Sequence, residues 1–567
     1  MSAIQQMLTD HIDIWTAAET EKRSGRGRAS SSAARVYGVR KLRGLILELA
    51  IRGKLVPQDA SDEPASELLM RIRDRNTKKL ADGKVKNSRP LSSLDKHDLA
   101  FAIPSGWSFT KFNEIFSLEY GENLPAEKRT NSGEYPVYGS NGVVGTHNVC
   151  FVQSPCIVVG RKGSAGALNL CLASGCCVTD VAYFCIPPEE MDLYFSFKLF
   201  QTLGLDILGK GIKPGLSRND AYVLPIAIPP IAEQRRIVAK VDELMTLCDQ
   251  LEAQHSDAAN AHEQLVSHLL GTLTQSQSAA DFNTNWQRIA EHFDTLFTTE
   301  ASIDALKQTL MHLAVMGKLV AQNANDEPAS ELLKRIQAEK AKLIIEGKIK
   351  KDKPSAKIEE EEIRYAIPST WEWVRMADLC RPISSGSTPP AEQFQYENGV
   401  PFLKVYNIRN QEIDFEYKKQ FIDDSLNRTK LNRSILIPGD IVMNIVGPPL
   451  GKVAIIPNDY PQWNCNQAIV FFGLIQPINV EYILTYLKEG SFLQDIELIG
   501  TAGQDNISVS KSKNILVPVP PLAEQHRIVA KLNQLLSFCD RLNACVANSN
   551  QLQKKIADVL VEHAILA

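Results

Sequence analysis

PPIAEQRRIVAKVDELMTLCDQL, residues 229–251, decides how this chain is read, because PPLAEQHRIVAKLNQLLSFCDRL returns at residues 520–542. Each copy opens with two prolines, which end an extended segment and suit the entrance of a helix, where the first-turn amides have no intrahelical partner. The apolar positions that follow are spaced alternately four and three apart. They are Ile237, Val241, Leu244, Cys248 and Leu251 in the first copy. In the second they are Ile528, Leu532, Leu535, Cys539, Leu542, Val546, Ile556 and Leu560, with Ser549 and Gln553 as polar interruptions. This spacing predicts the seam of long amphipathic or coiled-coil helices.

Working outward, the chain repeats itself. GKLVPQDASDEPASELL, from Gly53, matches GKLVAQNANDEPASELL, from Gly317, at an offset of 264 residues. AIPSGW (Ala102–Trp107) and AIPSTW (Ala366–Trp371) keep that offset, whereas the two PP helices stand 291 apart. The second half is therefore longer between those anchors, and there similarity disappears. A Gly-, Ser- and Arg-rich stretch, 22–38, reads as a flexible insert of the first half. The halves join near the polar run Thr274–Asn285.

Each half predicts the same order. A helix around Val39–Arg52 (or Ile303–Met316) is broken at Gly53 (or Gly317). A second begins at DEPASELL, with Pro64 or Pro328 in its first turn and acids near the positive end of its dipole. A charged connector leads to AIPSxW and a domain of short β-like runs punctuated by Gly and Pro, such as PVYGSNGVVG and CIVVGRKGSAGALNL in the first half, VPFLKVYNI and SILIPGDIVMNIVG in the second. GRKGSAG (Gly160–Gly166) reads either as a plain hairpin connection or as a cradle for phosphate. The PP helix closes each half. A constant framework carrying two dissimilar domains suggests one task performed on two targets.

At 567 residues the chain exceeds one hydrophobic core. No run approaches the roughly 18–20 apolar residues of a membrane span, and the N-terminus lacks a signal-peptide pattern, which predicts a cytoplasmic protein without membrane contact. Six of eleven cysteines (Cys150, Cys156, Cys171, Cys176, Cys177, Cys185) crowd one apolar region without a CxxC pair. They are expected to be reduced, small buried residues, with a zinc site as the lesser alternative. Catalytic motifs are missing: none of the six GK pairs is followed by Ser or Thr, and there is no GxSxG or HExxH. With a formal charge of -4, any DNA-binding groups must be locally arranged or lent by a partner.

The Gly-rich loops do hold such groups: Tyr138, Ser140, Asn141, Arg161, Lys162, Lys210 and Lys213 in the first variable domain, and Lys404, Tyr406, Asn407, Arg409, Asn410, Lys452, Asn464 and Gln467 in the second. Arg and Lys suit guanine edges and phosphates, and Asn and Gln suit adenine.

The two PPxxEQxxIV helices, the paired GKLV and DEPASELL segments, and modules such as YPVYGSNGVVG, VVGRKGSAG, PFLKVYNI and IPGDIVMNIVGPPLGKVAI resemble the DNA specificity subunits of type I restriction-modification enzymes over nearly the whole chain. The resemblance implies an α+β architecture: two mixed, mainly β target recognition domains separated by long antiparallel coiled-coil helices, in a pseudo-two-fold tandem duplication. The corresponding boundaries are an N-terminal helical region at 1–99, recognition domains at 100–228 and 365–518, a central spacer at 229–364 and a C-terminal helix at 519–567. The first PP helix would pack against helices of the second half, and the C-terminal helix would return to the N-terminal ones. Each domain would read half of an asymmetric bipartite site in double-stranded DNA. Two methyltransferase subunits, and restriction subunits, would be the partners. S-adenosylmethionine, ATP and magnesium would sit on those partners, with no catalytic centre, cofactor or metal in this chain. The exposed helix faces bearing Gln234, Arg235, Lys240, Gln525 and Lys531 are the expected partner surface. A helix of about 40 residues spans about 60 Å and would act as a ruler for the unread DNA between half-sites. The competing readings are a coiled-coil protein-interaction scaffold without DNA binding and an enzyme built on the cysteine-rich domain.

Overall fold

The computed structural model describes residues 10–17, 36–81, 101–209, 215–351, 354–381, 383–496 and 506–566. The chain divides into two compact units, Met1–Asn260 with Asn548–Ala567, and Ala261–Ala547. Both mix helices and sheets. The division falls inside the helix Ile231–Gln275, and again inside the helix Leu522–Leu566, so each of these 45-residue helices contributes to both units. Residues 22–35 of the expected insert lie outside the described residues, whereas Tyr37 and Gly38 already belong to the helix Tyr37–Ile51. Among the described residues no helix is long and apolar enough to cross a membrane.

In the first unit Leu42, Ile46 and Leu49 of Tyr37–Ile51 face the core, as their spacing predicts, together with Leu68 and Ile72 of the helix Ala65–Ala81 and Ile237, Val241, Leu244 and Cys248 of the long helix. Helix Tyr37–Ile51 stops before Gly53, whose φ of +69° lets the chain turn against Pro104 and Trp107. Pro64 precedes the second helix, so its expected place in the first turn shifts outward by one. Strand Ser108–Lys111 pairs antiparallel with Pro225–Ile228 and closes a neck around everything between them. Beyond the neck lie a four-stranded sheet (Glu119–Tyr120, Ala182–Cys185, Cys156–Gly160, Leu168–Cys171, in spatial order) and a three-stranded one (Gly142–His147, Tyr135–Gly139, Cys177–Val178). The Gly160–Gly166 segment is thus the connection of an antiparallel hairpin.

The second unit repeats the framework. Helices Glu300–Val315 and Ala329–Ile345 correspond to the first pair, Gly317 has φ +72° against Pro368 and Trp371, and Glu372–Arg375 pairs with Leu516–Val519. Pro328 is the N-cap. What the neck carries differs. One four-stranded sheet runs Ser384–Ser385, Ile469–Phe472, Ile441–Asn444, Val453–Ile455, and another Phe394–Gln395, Phe421–Ile422, Val400–Leu403, Asn464–Cys465. Val266, Leu270 and Leu273 of the first long helix share this unit's core with Leu306, Leu310, Ile528, Leu532 and Cys539.

The return of the C-terminal residues to the first unit is visible in named contacts. Tyr37 Oη donates to Asp558 Oδ1 at 2.9 Å, Lys41 Nζ pairs with the same oxygen at 2.7 Å, and Ala557 is fully buried. The seam is displaced here from the predicted one: Ile556 is 37% exposed, and Ala557 takes the inward position. An α-helix of 3.6 residues per turn drifts by about 20° per heptad against a strict seven-residue pattern, so a long seam rotates off its starting face.

The most repeated contact is the EQ pair of PPxAEQ. Glu233 accepts hydrogen bonds from Gln58 Nε2 at 2.7 Å and Trp107 Nε1 at 2.9 Å; Glu524 accepts from Gln322 Nε2 at 2.6 Å and Trp371 Nε1 at 3.0 Å. The neighbouring Gln234 donates to Pro229 O at 3.1 Å and accepts from Asp192 N at 2.9 Å, and Gln525 does the same with Pro520 O and Asn479 N, both at 2.9 Å. Asp192 and Asn479 cap the helices Leu193–Thr202 and Val480–Glu489. The glutamate therefore ties the long helix to the framework, and the glutamine ties it to the helix beyond the neck. Gln234 and Gln525, expected on an exposed face, are 0% exposed, and this corrects that expectation. Their amides are consumed by backbone groups that would otherwise be buried without partners.

Candidate nucleic-acid interface

In the first unit the loops around the sheets are tied together by close backbone approaches. A Cβ on Gly160 would stand 2.4 Å from Ser140 O, so glycine there lets the Ser140–Asn141 turn close on the Arg161–Lys162 loop. Gly121 meets Thr179 O in the same way, Arg161 N donates to Val181 O at 2.9 Å, and Leu216 N donates to Arg161 O at 2.9 Å. The Arg161 guanidinium lies 4.7 Å from the Tyr120 ring centre and 5.7 Å from that of Tyr183, and its Nη1 donates to Asp180 O at 3.0 Å. Arg218 lies 4.9 Å from the same Tyr120 ring. Two guanidinium groups are thus held on one half-exposed tyrosine, each contact adding about 0.5–1 kcal/mol at such a site. Lys162 is exposed, 4.0 Å from Asp180.

Of the predicted residues here, Ser140, Asn141, Arg161 and Lys162 come together at accessible positions. Tyr138 does not: its ring is buried among Val152, Val158 and Val178, and burial raises its hydroxyl pKa well above the ordinary value. Lys210 and Lys213 lie outside the described residues. Tyr120 and Arg218 were missed by the sequence reading. The only signal for them is an aromatic residue before Gly121 and an arginine after Leu216 and Ser217.

In the second unit the strands Ile408–Arg409 and Glu412–Ile413 form a hairpin whose turn, Asn410 and Gln411, has φ of +49° and +61°. Two positive φ values mark the turn that matches strand twist. Arg409 stacks 4.4 Å from the Tyr417 ring centre, and Lys418 Nζ stands 5.3 Å from Tyr406 and 5.4 Å from Tyr417. Gln411 accepts from Val453 N at 2.7 Å, which fixes the hairpin beside Lys452. A second group forms where Asn466 N donates to Leu403 O at 3.0 Å: Lys404 lies 4.5 Å from the Phe394 ring, with burial lowering its pKa, and Gln467 accepts from the Thr388 hydroxyl.

Two predicted readers are instead structural. Asn407 is 1% exposed and spends its amide on Asp414 O (3.1 Å), Tyr417 O (2.8 Å) and Lys404 N (2.9 Å). Asn464 is 0% exposed and engages Asn427, Leu431 O, Ser434 and Cys465 N. Burial and these bonds keep both amides from a base. Lys418 and Tyr417 are the residues missed. Elsewhere, Arg235 and Lys531 are exposed, and Lys240 is half-buried against Glu243 at 2.8 Å.

Comparison with known proteins gives this geometry a context. Residues 104–261 and 368–554 match the type I restriction modification DNA specificity domain. The chain is 35% identical, over 596 aligned residues covering 99% of it and 100% of the relative, to the type I restriction enzyme EcoAI specificity subunit of Escherichia coli. It is 34% identical to the EcoEI specificity subunit of the same organism, over 99% of this chain and 100% of that one. Among solved structures, a chain of a type I R-M system aligns at 17% identity over 82% of this chain and 99% of that chain, with a TM-score of 0.44. The chain belongs to the family of type I restriction-modification DNA specificity subunits.

Proposed function

We propose that this subunit reads an asymmetric bipartite site in double-stranded DNA, one half through residues 100–228 and the other through 365–518. The observation that carries the reading is the repeated neck and EQ pin supporting two unlike strand-rich regions, each with cationic side chains stacked on tyrosine. Held guanidinium groups suit DNA because their ordering entropy is lost before binding, so less is lost on contact. Arg161, Lys162 and Arg218 serve the first half-site with Ser140 and Asn141; Arg409, Asn410, Lys418 and Lys452 serve the second, with Lys404, Tyr406 and Gln467 flanking.

Methyl transfer and cleavage then belong to other chains. Two methyltransferase subunits carrying S-adenosylmethionine, and restriction subunits using ATP and magnesium, are the partners this reading assigns, with Arg235, Lys240 and Lys531 on the faces offered to them. The segments 229–364 and 519–567 are the spacers that set the unread DNA between half-sites.

The deciding experiment replaces residues 108–223 with the matching segment of a relative of different specificity and maps adenine methylation in cells that also express the methyltransferase subunit. One half-site should change and the other remain. A change in both, or in neither, refutes the division. A seven-residue insertion within 256–275 should lengthen the spacer and leave both half-sites intact.

A further inference from the structure

Behind the strand Tyr135–Gly139 lies a cluster that DNA reading does not use. Cys156 faces Cys171 in the antiparallel register of their strands, and Cys176 is brought in by paired backbone bonds with Val152, at 2.9 and 3.0 Å. The Sγ atoms of Cys156 and Cys176 stand 3.7 Å apart, and all three sulfurs lie within 4.8 Å of one another. All three residues are 0% exposed. Other buried cysteines, such as Cys380 and Cys465, join no such group among the described residues.

We propose that Cys156, Cys171 and Cys176 form a buried three-thiolate site for a divalent d10 cation, zinc in the protein as it functions and cadmium as its probe. The donor set is purely soft, with no carboxylate or imidazole, which selects thiophilic ions over magnesium or calcium. Zn–S bonds of about 2.3 Å place ligand sulfurs about 3.8–4.0 Å apart, so no pair here needs to close by more than about 1 Å. Each sulfur loses its proton to solvent as its metal bond forms. A dication with three thiolates carries one net negative charge and a monovalent ion two, and in this apolar setting the smaller charge is the cheaper. Tyr138 packs against the same three cysteines and closes the cluster on the side of its own strand. Because a proton leaves each sulfur as its metal bond forms, affinity should climb with pH. Occupancy would brace the strand that leads into the Ser140–Asn141 turn.

The test uses the full chain, reduced, stripped with a chelator and titrated with cadmium while thiolate-to-metal charge-transfer absorption is followed. Saturation at about one cadmium per chain is expected, with binding weakened at least about tenfold in Cys171→Ser and unchanged in Cys545→Ser, whose thiol is exposed. Absence of the band in the unmodified chain overturns the proposal and needs no variant to fold. So does full cadmium binding by the triple variant C156S/C171S/C176S, or a mass two hydrogens low that maps to a Cys156–Cys176 disulfide in the isolated protein.

Discussion

Replacing Trp107 by Phe removes one donor from Glu233 while keeping an aromatic ring in the same place. Trp107 is 5% exposed and Glu233 1% exposed, so water cannot substitute for the lost bond. A hydrogen bond to a charged group contributes about 1.5–3 kcal/mol, and the smaller ring adds a packing loss of about 1 kcal/mol. The expected cost is therefore about 2.5–4 kcal/mol, confined to the first unit, or a rise in amide exchange of roughly seventy- to a thousandfold where exchange requires that unit to open. Hydrogen exchange read by mass spectrometry suits the question, because a chain of two units does not melt in one transition. Peptides covering 104–112 and 225–241 should exchange faster, while those around Trp371 and Glu524 serve as an internal control. Glu233→Gln in the same background should show a coupling energy of about 1–2 kcal/mol with Trp107→Phe. A cost below about 0.5 kcal/mol, or strictly additive effects, would refute the role given to this pair.

Other perturbations follow from the same geometry. Gly53→Ala and Gly317→Ala each force a Cβ to within 2.6 Å of a proline ring at positive φ, and each should destabilise its own unit by about 1–3 kcal/mol in calorimetry. Burial raises the Glu233 and Glu524 pKa values despite their hydrogen bonds, so their linked stability is full below the unfolded pKa and is lost as pH rises through the folded one; Gln at both positions should flatten that part of the urea-stability profile. Asp558 is held below its usual range by Lys41, the opposite case: docking of the C-terminal residues should hold above the unfolded pKa and loosen as pH falls through the folded one, seen as faster exchange in 552–566 that Asp558→Asn reproduces at neutral pH. Arg218→Ala and Arg161→Ala should each weaken DNA binding by the assembled complex and reduce its salt slope by about 1 if the contact is to phosphate. An unchanged slope and affinity for both would remove the tyrosine-stacked pair from the interface.

Much was legible from sequence because repeats and helical periodicity are local. Two copies of GKLV, DEPASELL, AIPSxW and PPxAEQ place the same helices, the same glycine breaks and the same domain entrance in each half before any coordinate is known. The inward line Ile237, Val241, Leu244, Cys248 follows from 3.6-residue geometry alone. Burial of individual polar residues is different, because it depends on which distant backbone groups lack partners. Gln234 and Gln525 look like solvated helix residues until Asp192 N and Asn479 N are seen against them. Asn407 and Asn464 look like base readers until their amides are found spent on turns.

The family resemblance, the duplicated framework and the regions that differ between the halves are all readable along the chain, because they rest on order and spacing. Which polar side chains stay accessible and which are buried came from the three-dimensional packing. The stacking of Arg161 and Arg218 on Tyr120, and of Arg409 and Lys418 on Tyr417, joins residues from separate loops, and no local pattern encodes such meetings. The gathering of Cys156, Cys171 and Cys176 is of the same kind: strand register, set by long-range pairing, turns three scattered thiols into one site.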